Sequence, residues 1–439
     1  MKYSLASTAL ITLFATSLFA ADDFWLYDPS AKTMTWEDET GFINVVKTSG
    51  DDGSSIVIKE GVNRATTAIR NLDLSLPIRD ASGNEYVITE FVGSSQSAFG
   101  YNSSITNVVL PSGLKTLPPF AFKNCSELIS VTLNDGLEII DNEAFNGCSA
   151  LKQIYNFFPS SLVEIKSKAF YSCSALECGA VISGVTNMAD RIFHSSSVRS
   201  FDCEQAPLKI LPEFTFYNCK QLTNVVLSQD LEVIKDGCFE NCYALTTVKH
   251  LLPKSLTKLG SGSNNPVFFD NKALQGEVIV GPYLEEIKLR TFRGSKIGSF
   301  VAAKNGLKSL GQFCFYGCND LTNIVLSATI EKLDYSILEG TSSSSAQRKI
   351  YLRNFPSGGI TSSLFNGTKR ECITIYLPWD YQEEWRTFAA TNSGHNFIFN
   401  KQAGALPEKK NELGTWQASI TQNVTWWQEF PPPSTIILR

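Results

Sequence analysis

The chain has 439 residues, of which 43% are hydrophobic and 18% charged, and it carries a net charge of −5 with a pI of about 5.5. This length and composition are those of a globular protein with room for a large core or for more than one domain. The acidic balance and the lack of any Lys/Arg cluster exclude an electrostatic footprint for nucleic acid and a polybasic patch for a membrane surface.

Residues 1–21 are predicted to be a signal peptide. Lys2 supplies a short positive region, residues 5–19 are apolar with small residues among them, and Ala20 and Ala21 offer small side chains for cleavage. A transmembrane anchor is the alternative, but the apolar run is shorter than the roughly 20 residues that a spanning helix needs. Because no other apolar run is long enough, we expect a mature chain without a membrane span that is secreted or held at the cell surface.

Residues 22–87 are predicted to form a β-rich N-terminal cap. The runs 56–58 and 86–88 are rich in β-branched and aromatic residues, which favour strands. This range contains no clean internal repeat. Because stacked repeats expose an apolar layer at each end, a non-repetitive segment at this place is expected to cover one of them.

Residues 88–378 repeat a short motif in which a cysteine or another small residue follows an aromatic residue by three positions. The clearest copies are 121–125, 144–148, 169–173, 215–219, 238–242 and 314–318, and weaker copies centre on Phe99, Phe193, Phe269, Phe292, Leu338 and Phe365. From Phe99 onward the intervals are 23, 23, 25, 23, 23, 23, 30, 23, 23, 23 and 27 residues. Such a series predicts a solenoid of about eleven to twelve units.

Each unit has the same internal layout. An alternating apolar pair, such as Val131 and Leu133, predicts a short strand, and a second apolar segment, such as Leu137 and Ile140, follows a turn. One unit cannot bury its own apolar face, whereas stacked units can. We therefore predict one continuous parallel β-sheet, with short turns or 3-10 segments on the other face.

The repeated aromatic and cysteine positions are predicted to stack into a buried structural ladder. Its clearest members are Phe122, Phe145, Phe170, Phe216, Phe239 and Phe315, with Cys125, Cys148, Cys173, Cys219, Cys242 and Cys318. Other copies replace the cysteine by Ser196, Ser295, Thr341 or Thr368, and once by Lys272. A position that accepts Ser or Thr needs a small side chain rather than a covalent bond, which favours reduced cysteines over a disulfide framework.

The repeated Ala-Phe-x-x-Cys, Leu-x-x-Val-x-Leu and Leu-x-x-Ile elements resemble the BspA-type leucine-rich repeat, a class of about 23 residues per unit. The resemblance covers roughly residues 88–378. It implies a secreted or cell-surface protein that adheres to host proteins or to other cells, and it implies no enzymatic activity. The family supplies no fixed set of binding residues that could be carried over to this chain.

The C-terminal part divides into two segments. Residues 379–400, together with the run 375–378, resemble the short element that often closes such arrays, so a C-terminal capping element is predicted there. Residues 401–439 contain Trp416, Trp426, Trp427 and a run of three prolines. No fold is assigned to this tail.

No motif in the sequence indicates catalysis. None of the three histidines, His194, His250 and His395, belongs to a local nucleophile or metal motif. Cys238 and Cys242 have metal-like spacing, but Cys238 stands where other copies carry Ala121. We therefore expect no enzymatic activity, no cofactor and no metal. An enzyme whose site lies in residues 22–87 or 400–439 is the weakest alternative.

The strand residues between the buried positions are predicted to face outward and to bind a protein. The candidates are Thr132, Tyr155, Asp202, Asn224, Lys249, Asn323 and Tyr376. Polar side chains with a few apolar anchors are typical of protein interfaces, and the dense aromatic platform of a glycan groove is missing. We expect a host, matrix or neighbouring-cell surface protein as partner. A merely solvated face is the simpler interpretation, and a structural surface protein that self-associates without a foreign ligand is the alternative function.

Overall fold

The computed structural model describes residues 24–36, 42–47, 54–60, 69–91, 98–261, 265–341, 346–354, 356, 364, 372–377, 396–400 and 424–427. Strands and turns make up these segments, which contain no α-helix. Among the described residues, no helix therefore has the length and apolarity that crossing a bilayer requires. The chain divides into two compact units, Met1–Leu208 and Lys209–Arg439. The predicted signal peptide lies outside the described residues.

Unit 1 contains sixteen described strands, most of which are two to four residues long. They are β1 (Trp25–Asp28), β2 (Thr33–Trp36), β3 (Phe42–Lys47), β4 (Ser55–Glu60), β5 (Asn71–Asp73), β6 (Ile78–Asp80), β7 (Glu85–Phe91), β8 (Asn107–Val109), β9 (Thr116–Leu117), β10 (Ser130–Thr132), β11 (Ile139–Ile140), β12 (Gln153–Tyr155), β13 (Glu164–Ile165), β14 (Gly179–Val181), β15 (Asn187–Met188) and β16 (Ser200–Asp202).

The N-terminal strands form a closed sheet in the order β1-β2-β3-β4-β7-β6. The strands predicted at 56–58 and 86–88 are parts of β4 and β7, which pair in parallel. Alternate residues point inward, so that Trp25, Tyr27, Ile56 and Ile88 are buried. The β-rich character predicted for this part of the chain is thereby confirmed.

Strand β5 lies between these cap strands in sequence but belongs to the sheet of the repeats. It pairs in parallel with β8, which aligns Leu72 with Val108. Leu72 and Leu74 are buried, as the equivalent residues of the repeats are. Residues 71–73 fall within the range predicted as the cap, and they supply the first rung of the solenoid.

The repeats of unit 1 wind as a solenoid of parallel strands. The longer strands pair in the order β12-β10-β8, β14 pairs with β16, and the two-residue strands pair in the order β15-β13-β11-β9. Val131 aligns with Val108 on one side and Ile154 on the other, so residues at the same repeat position stack. The predicted solenoid is confirmed, but its sheet is hydrogen-bonded in blocks, since β12 and β14 belong to different sheets and a longer connection separates them.

Unit 2 contains fifteen described strands. They are β17 (Ile210–Leu211), β18 (Asn224–Val226), β19 (Val233–Ile234), β20 (Thr247–Lys249), β21 (Lys258–Leu259), β22 (Gln275–Val280), β23 (Glu286–Ile287), β24 (Lys296–Ala302), β25 (Ser309–Leu310), β26 (Asn323–Val325), β27 (Lys332–Leu333), β28 (Arg348–Tyr351), β29 (Ile373–Leu377), β30 (Asn396–Asn400) and β31 (Val424–Trp427).

The same winding continues within unit 2. Strands β18 and β20 pair in parallel, and a seven-stranded sheet runs in the order β22-β24-β26-β28-β29-β30-β31. Two-residue strands form the sheets β17-β19-β21 and β23-β25-β27. Strand β30 lies in the segment predicted as a C-terminal cap, and β31 lies in the tail to which no fold was assigned. Both extend the parallel sheet by one strand each.

The ladder phenylalanines stack ring on ring and are excluded from solvent. In unit 1, the rings of Phe99, Phe122, Phe145, Phe170 and Phe193 follow one another with centroid distances of 5.2, 5.5, 5.3 and 5.5 Å. In unit 2, Phe216, Phe239, Phe268, Phe292 and Phe315 do the same at 5.3, 5.2, 5.6 and 6.0 Å. One aromatic side chain per turn thus forms the centre of the core.

One repeat is registered differently from the sequence prediction. The ladder ring of that turn is Phe268, which is fully buried, and not Phe269. The position of the ladder cysteine is accordingly taken by buried Asn271 instead of Lys272, and the Asn271 Oδ1 accepts a 3.0 Å hydrogen bond from the Cys242 N–H. Two adjacent phenylalanines after the longest interval left the register ambiguous, and burial of one ring in the stack decides it.

Candidate binding face

The outward strand residues form two columns, because most strands of three residues bury their middle side chain and leave the other two half-buried or exposed. In unit 1 the first column contains Asn71, Asn107 and Ser130. The Asn107 Nδ2 donates to Asn71 Oδ1 at 2.7 Å, and the Ser130 Oγ donates to Asn107 Oδ1 at 2.6 Å. These bonds join successive turns and use the polar groups that a ligand would otherwise contact.

The second column of unit 1 contains three of the predicted binding residues. Thr132 and Tyr155 are register partners on β10 and β12, and Asp202 aligns with Val181 on β16 and β14. Tyr155 is 39% exposed and Val181 is 60% exposed. The Asp202 Oδ1 accepts a 2.9 Å hydrogen bond from the Glu204 N–H, which shapes the following turn.

The remaining predicted residues lie in unit 2 and are divided between the two columns. Asn224 and Asn323 occupy the first column, and Lys249 and Tyr376 occupy the second. The Asn224 Oδ1 accepts a 3.0 Å hydrogen bond from the Thr247 Oγ1. Tyr376 lies on β29, but its side chain is outside the described part of the structure. The predicted residues are therefore spread over two columns and two units and do not converge on one point.

An apolar strip in the second column of unit 2 was missed by the sequence analysis. Ile279, Val301 and Val325 align across β22, β24 and β26, and Ile279 is 41% exposed. Beside it runs a polar column, in which the Ser299 Oγ donates to Glu277 Oε1 at 2.9 Å. Ile279 stands between two buried valines in a run of three β-branched residues, so alternation alone did not show which side chain faces outward.

The ladder cysteines have the environment of structural thiols. The Cys148 Sγ donates to the carbonyl oxygen of Phe122 at 3.0 Å, and the Cys242 Sγ donates to that of Phe216 at the same distance. Burial raises the pKa of the Cys125 thiol to about 12 and the pKa of Cys173 further. All eleven cysteines lie within the described residues, and none forms a disulfide. A neutral thiol that caps the carbonyl of the preceding turn fits a packing role.

Two titratable groups outside the ladder have perturbed environments. His194 stacks on Tyr171 with ring centroids 4.6 Å apart, and burial lowers the pKa of its imidazole. The Glu240 side chain is buried and its Oε2 has no hydrogen-bond partner. Burial raises the pKa of Glu240 to about 7, and the nearby charge of Asp270 adds to the effect. Among the described residues, no group of three or more His, Cys, Asp or Glu side chains is arranged to hold a metal ion.

Comparison with solved structures finds a similar fold in a bacterial leucine-rich repeat protein. A leucine-rich repeat protein from Bacteroides ovatus is 20% identical, with a TM-score of 0.51 over 81% of this chain and 98% of that chain. A leucine rich cell surface protein from Faecalibacterium prausnitzii is 17% identical, with a TM-score of 0.41 over 90% and 95%. The pneumococcal vaccine antigen PcpA is 15% identical, with a TM-score of 0.39 over 84% and 98%. No curated protein matches the sequence significantly.

The repeats themselves match a family model. The BspA type leucine rich repeat region matches residues 94–210, 155–274 and 264–358, in six copies. Together these segments span 94–358, which is more than half of the chain. The resemblance noted in the sequence is thereby confirmed, and the chain belongs to the BspA-type leucine-rich repeat family.

Proposed function

We propose that this protein is exported and binds another protein through the outward face of its strands, as an adhesion or recognition protein of the cell surface. The observation that carries the proposal is the apolar strip of Ile279, Val301 and Val325 beside a polar column. Apolar anchors with a polar surround are the usual composition of a protein-binding patch. Membership of a repeat family whose members generally bind proteins supports a binding role over catalysis.

Binding would be tested by capture of extracellular-matrix, host-cell and neighbouring-cell surface proteins on the purified protein. An identified partner should bind saturably, and Ile279→Lys and Val301→Lys should each weaken its binding about tenfold by placing a charge in the contact. Tyr283→Lys is the matched control, because Tyr283 is 64% exposed but lies in a turn after β22. Equal binding by the strand variants and the wild type would contradict the proposal.

The alternative is a structural protein that self-associates without a foreign ligand. It predicts oligomers that grow with protein concentration in light scattering, and no partner in the capture experiment. Self-association that Ile279→Lys abolishes would place the same face in contact with a second copy. A monomer that captures a partner would exclude this alternative.

Export would be tested separately from binding. We expect the protein in the extracellular or cell-surface fraction, with an N-terminus that begins after residue 21, as measured by mass spectrometry. A chain whose Leu5 and Leu10 are changed to Lys should stay in the cytoplasm, because the apolar region is interrupted. Recovery of the intact N-terminus from the cytoplasm of unaltered cells would refute export.

A further inference from the structure

Two arginines in unit 2 are stacked on aromatic rings that neighbouring turns supply. The Arg293 Cζ lies 5.1 Å from the ring centroid of Phe269 and 4.7 Å from that of Tyr316. The Arg290 Cζ lies 5.6 Å from the ring centroid of Phe313. Tyr335, which is 49% exposed, packs edge-on against Phe313 at 6.0 Å. We call these six residues the arginine–aromatic cluster.

The stacking of the solenoid builds this cluster from residues far apart in sequence. Phe269, Arg293 and Tyr316 each follow a ladder phenylalanine directly, so they stand in one column on successive turns. Arg290 and Phe313 lie two positions before their ladder residues, and both have left-handed backbones, with φ of 55° and 56°. The cluster therefore lies on a different segment of each turn from the strands.

Neither guanidinium has an anionic partner. Among the described residues, Arg290 and Arg293 form no side-chain hydrogen bond or ion pair, and the Arg290 Nε is buried without a hydrogen-bond partner. Other bases between neighbouring turns are paired, as Lys115 is with Glu138 at 3.0 Å and Lys308 is with Glu285 at 2.7 Å. A guanidinium that stacks by its face keeps its N–H edge available for a carboxylate.

A groove of about 550 Å³ adjoins the cluster. Its middle turn contributes the small residues Ser309 and Gly311. At the same two positions the preceding turn carries charged residues 286 and 288, and the following turn carries charged residues 332 and 334. A Cβ on Gly311 would lie 2.6 Å from the backbone of Leu289, so no larger residue fits there. Leu289 and Gln312, which also line the groove, directly precede Arg290 and Phe313 in the chain. The groove thus opens beside the unpaired arginines.

We propose that this surface binds an acidic segment of a partner protein, whose carboxylates pair with Arg290 and Arg293 while its chain lies in the groove. The planar donors match carboxylates. In the groove walls, Glu286 and Asp334 pair with Lys288 and Lys332, while Ser309 and Gln312 supply polar groups suited to hydrogen bonds with a peptide backbone. This site is separate from the outward strand face of the proposed function, so an experiment can refute one proposal and leave the other intact.

The experiment is a selection of random displayed peptides on the purified protein. Enriched peptides are expected to be rich in Asp and Glu, and their affinity should fall with salt. The double variant Arg290→Gln/Arg293→Gln should weaken binding of these peptides at least about tenfold. The variant Arg290→Lys/Arg293→Lys keeps the charge but not the planar donors, so it should restore only part of the lost affinity. Tyr335→Ala, at an exposed ring, should weaken peptide binding about threefold or more, and the protein should still fold.

The control variant Arg79→Gln/Arg199→Gln removes the same charge from exposed ion pairs and should bind the selected peptides as the wild type does. Ile279→Lys should also leave them unchanged. Failure to enrich acidic peptides would overturn the proposal. So would equal binding by the folded Arg290→Gln/Arg293→Gln variant, or arginine-dependent binding of heparin without any binding of acidic peptides.

Discussion

The indole N–H of Trp25 donates a 2.7 Å hydrogen bond to the backbone carbonyl of Asp73. Trp25 opens the closed N-terminal sheet, and Asp73 ends the first strand of the solenoid. The backbone N–H of Trp25 also donates to the Pro77 carbonyl at 2.9 Å. The indole bond is part-buried and links the closed N-terminal sheet to the first repeat strand, whereas the backbone bond joins β1 to the start of β6 within that sheet.

Trp25→Phe should destabilise the protein by about 1–3 kcal/mol, because the part-buried Asp73 carbonyl loses its donor and part of the ring volume is lost. Urea unfolding would measure the change. Tyr283→Phe, at an exposed aromatic residue, should change the free energy of unfolding by less than about 0.5 kcal/mol. Equal values for the two variants would show that the indole contact contributes nothing.

Phe145→Ala should cost about 3–5 kcal/mol, because it opens a cavity between two stacked rings in the core. The ring lies 5.5 Å from Phe122 and 5.3 Å from Phe170. Phe145→Leu fills more of the space and should cost less. Tyr155→Ala removes a partly exposed ring of the strand face and should cost about 1 kcal/mol or less. A similar loss of unfolding free energy in Phe145→Ala and Tyr155→Ala would contradict a dominant contribution of the phenylalanine ladder to stability.

Cys148→Ser should be tolerated better than Cys148→Ala. Serine keeps a donor for the Phe122 carbonyl and already occupies the equivalent buried positions 196 and 295. Alanine leaves that carbonyl unpaired and should cost about 1–2 kcal/mol. Thermal unfolding of the two variants would rank them, and a less stable serine variant would refute the hydrogen-bond argument.

The native ladder thiols should react slowly with a thiol reagent at about pH 8, because burial raises their pKa values and blocks access. Cys178 is half-buried, whereas the other ten cysteines are buried, so Cys178 should be modified first. Peptide mapping after brief alkylation identifies the modified residue. Rapid reaction of Cys148 or Cys242 in the folded protein would contradict the buried, neutral ladder.

Stability should fall as the pH rises through the titration of Glu240. Its folded pKa of about 7 exceeds the value of about 4.5 for the unfolded chain, so the folded state binds the extra proton between these values. The loss of folding stability from ionising Glu240 is absent below the unfolded pKa and approaches about 3 kcal/mol at most above pH 7. Glu240→Gln should therefore lose less stability than the wild type between about pH 5 and pH 8. Glu138→Gln, at an exposed carboxylate, should lose as much stability over this pH range as the wild type does. The same loss in Glu240→Gln would disprove the raised pKa of Glu240.

The intervals between aromatic residues were enough to predict the solenoid, the parallel strands and the buried Phe and Cys positions. They suffice because a residue that recurs every 23 positions can be buried in each copy if identical turns stack, and stacking then aligns all copies at once. The strands at 56–58 and 86–88 also followed from local composition. The predicted register was wrong at Phe268 and Phe269. The neighbouring ladder rings are 29 and 24 residues away from the buried Phe268, so either phenylalanine satisfied the pattern.

Contacts between turns decided the rest. Strand β5 carries no motif, and its place in the solenoid depends on pairing with β8 and on the bond from Trp25. The apolar strip at Ile279 and the stack of Arg293 between Phe269 and Tyr316 combine side chains from different turns. Sequence periodicity determined which position of each turn is buried, because burial follows from the repeat alone. The side chains that meet on the surface depend on the register of one turn over the next, which only the tertiary structure sets.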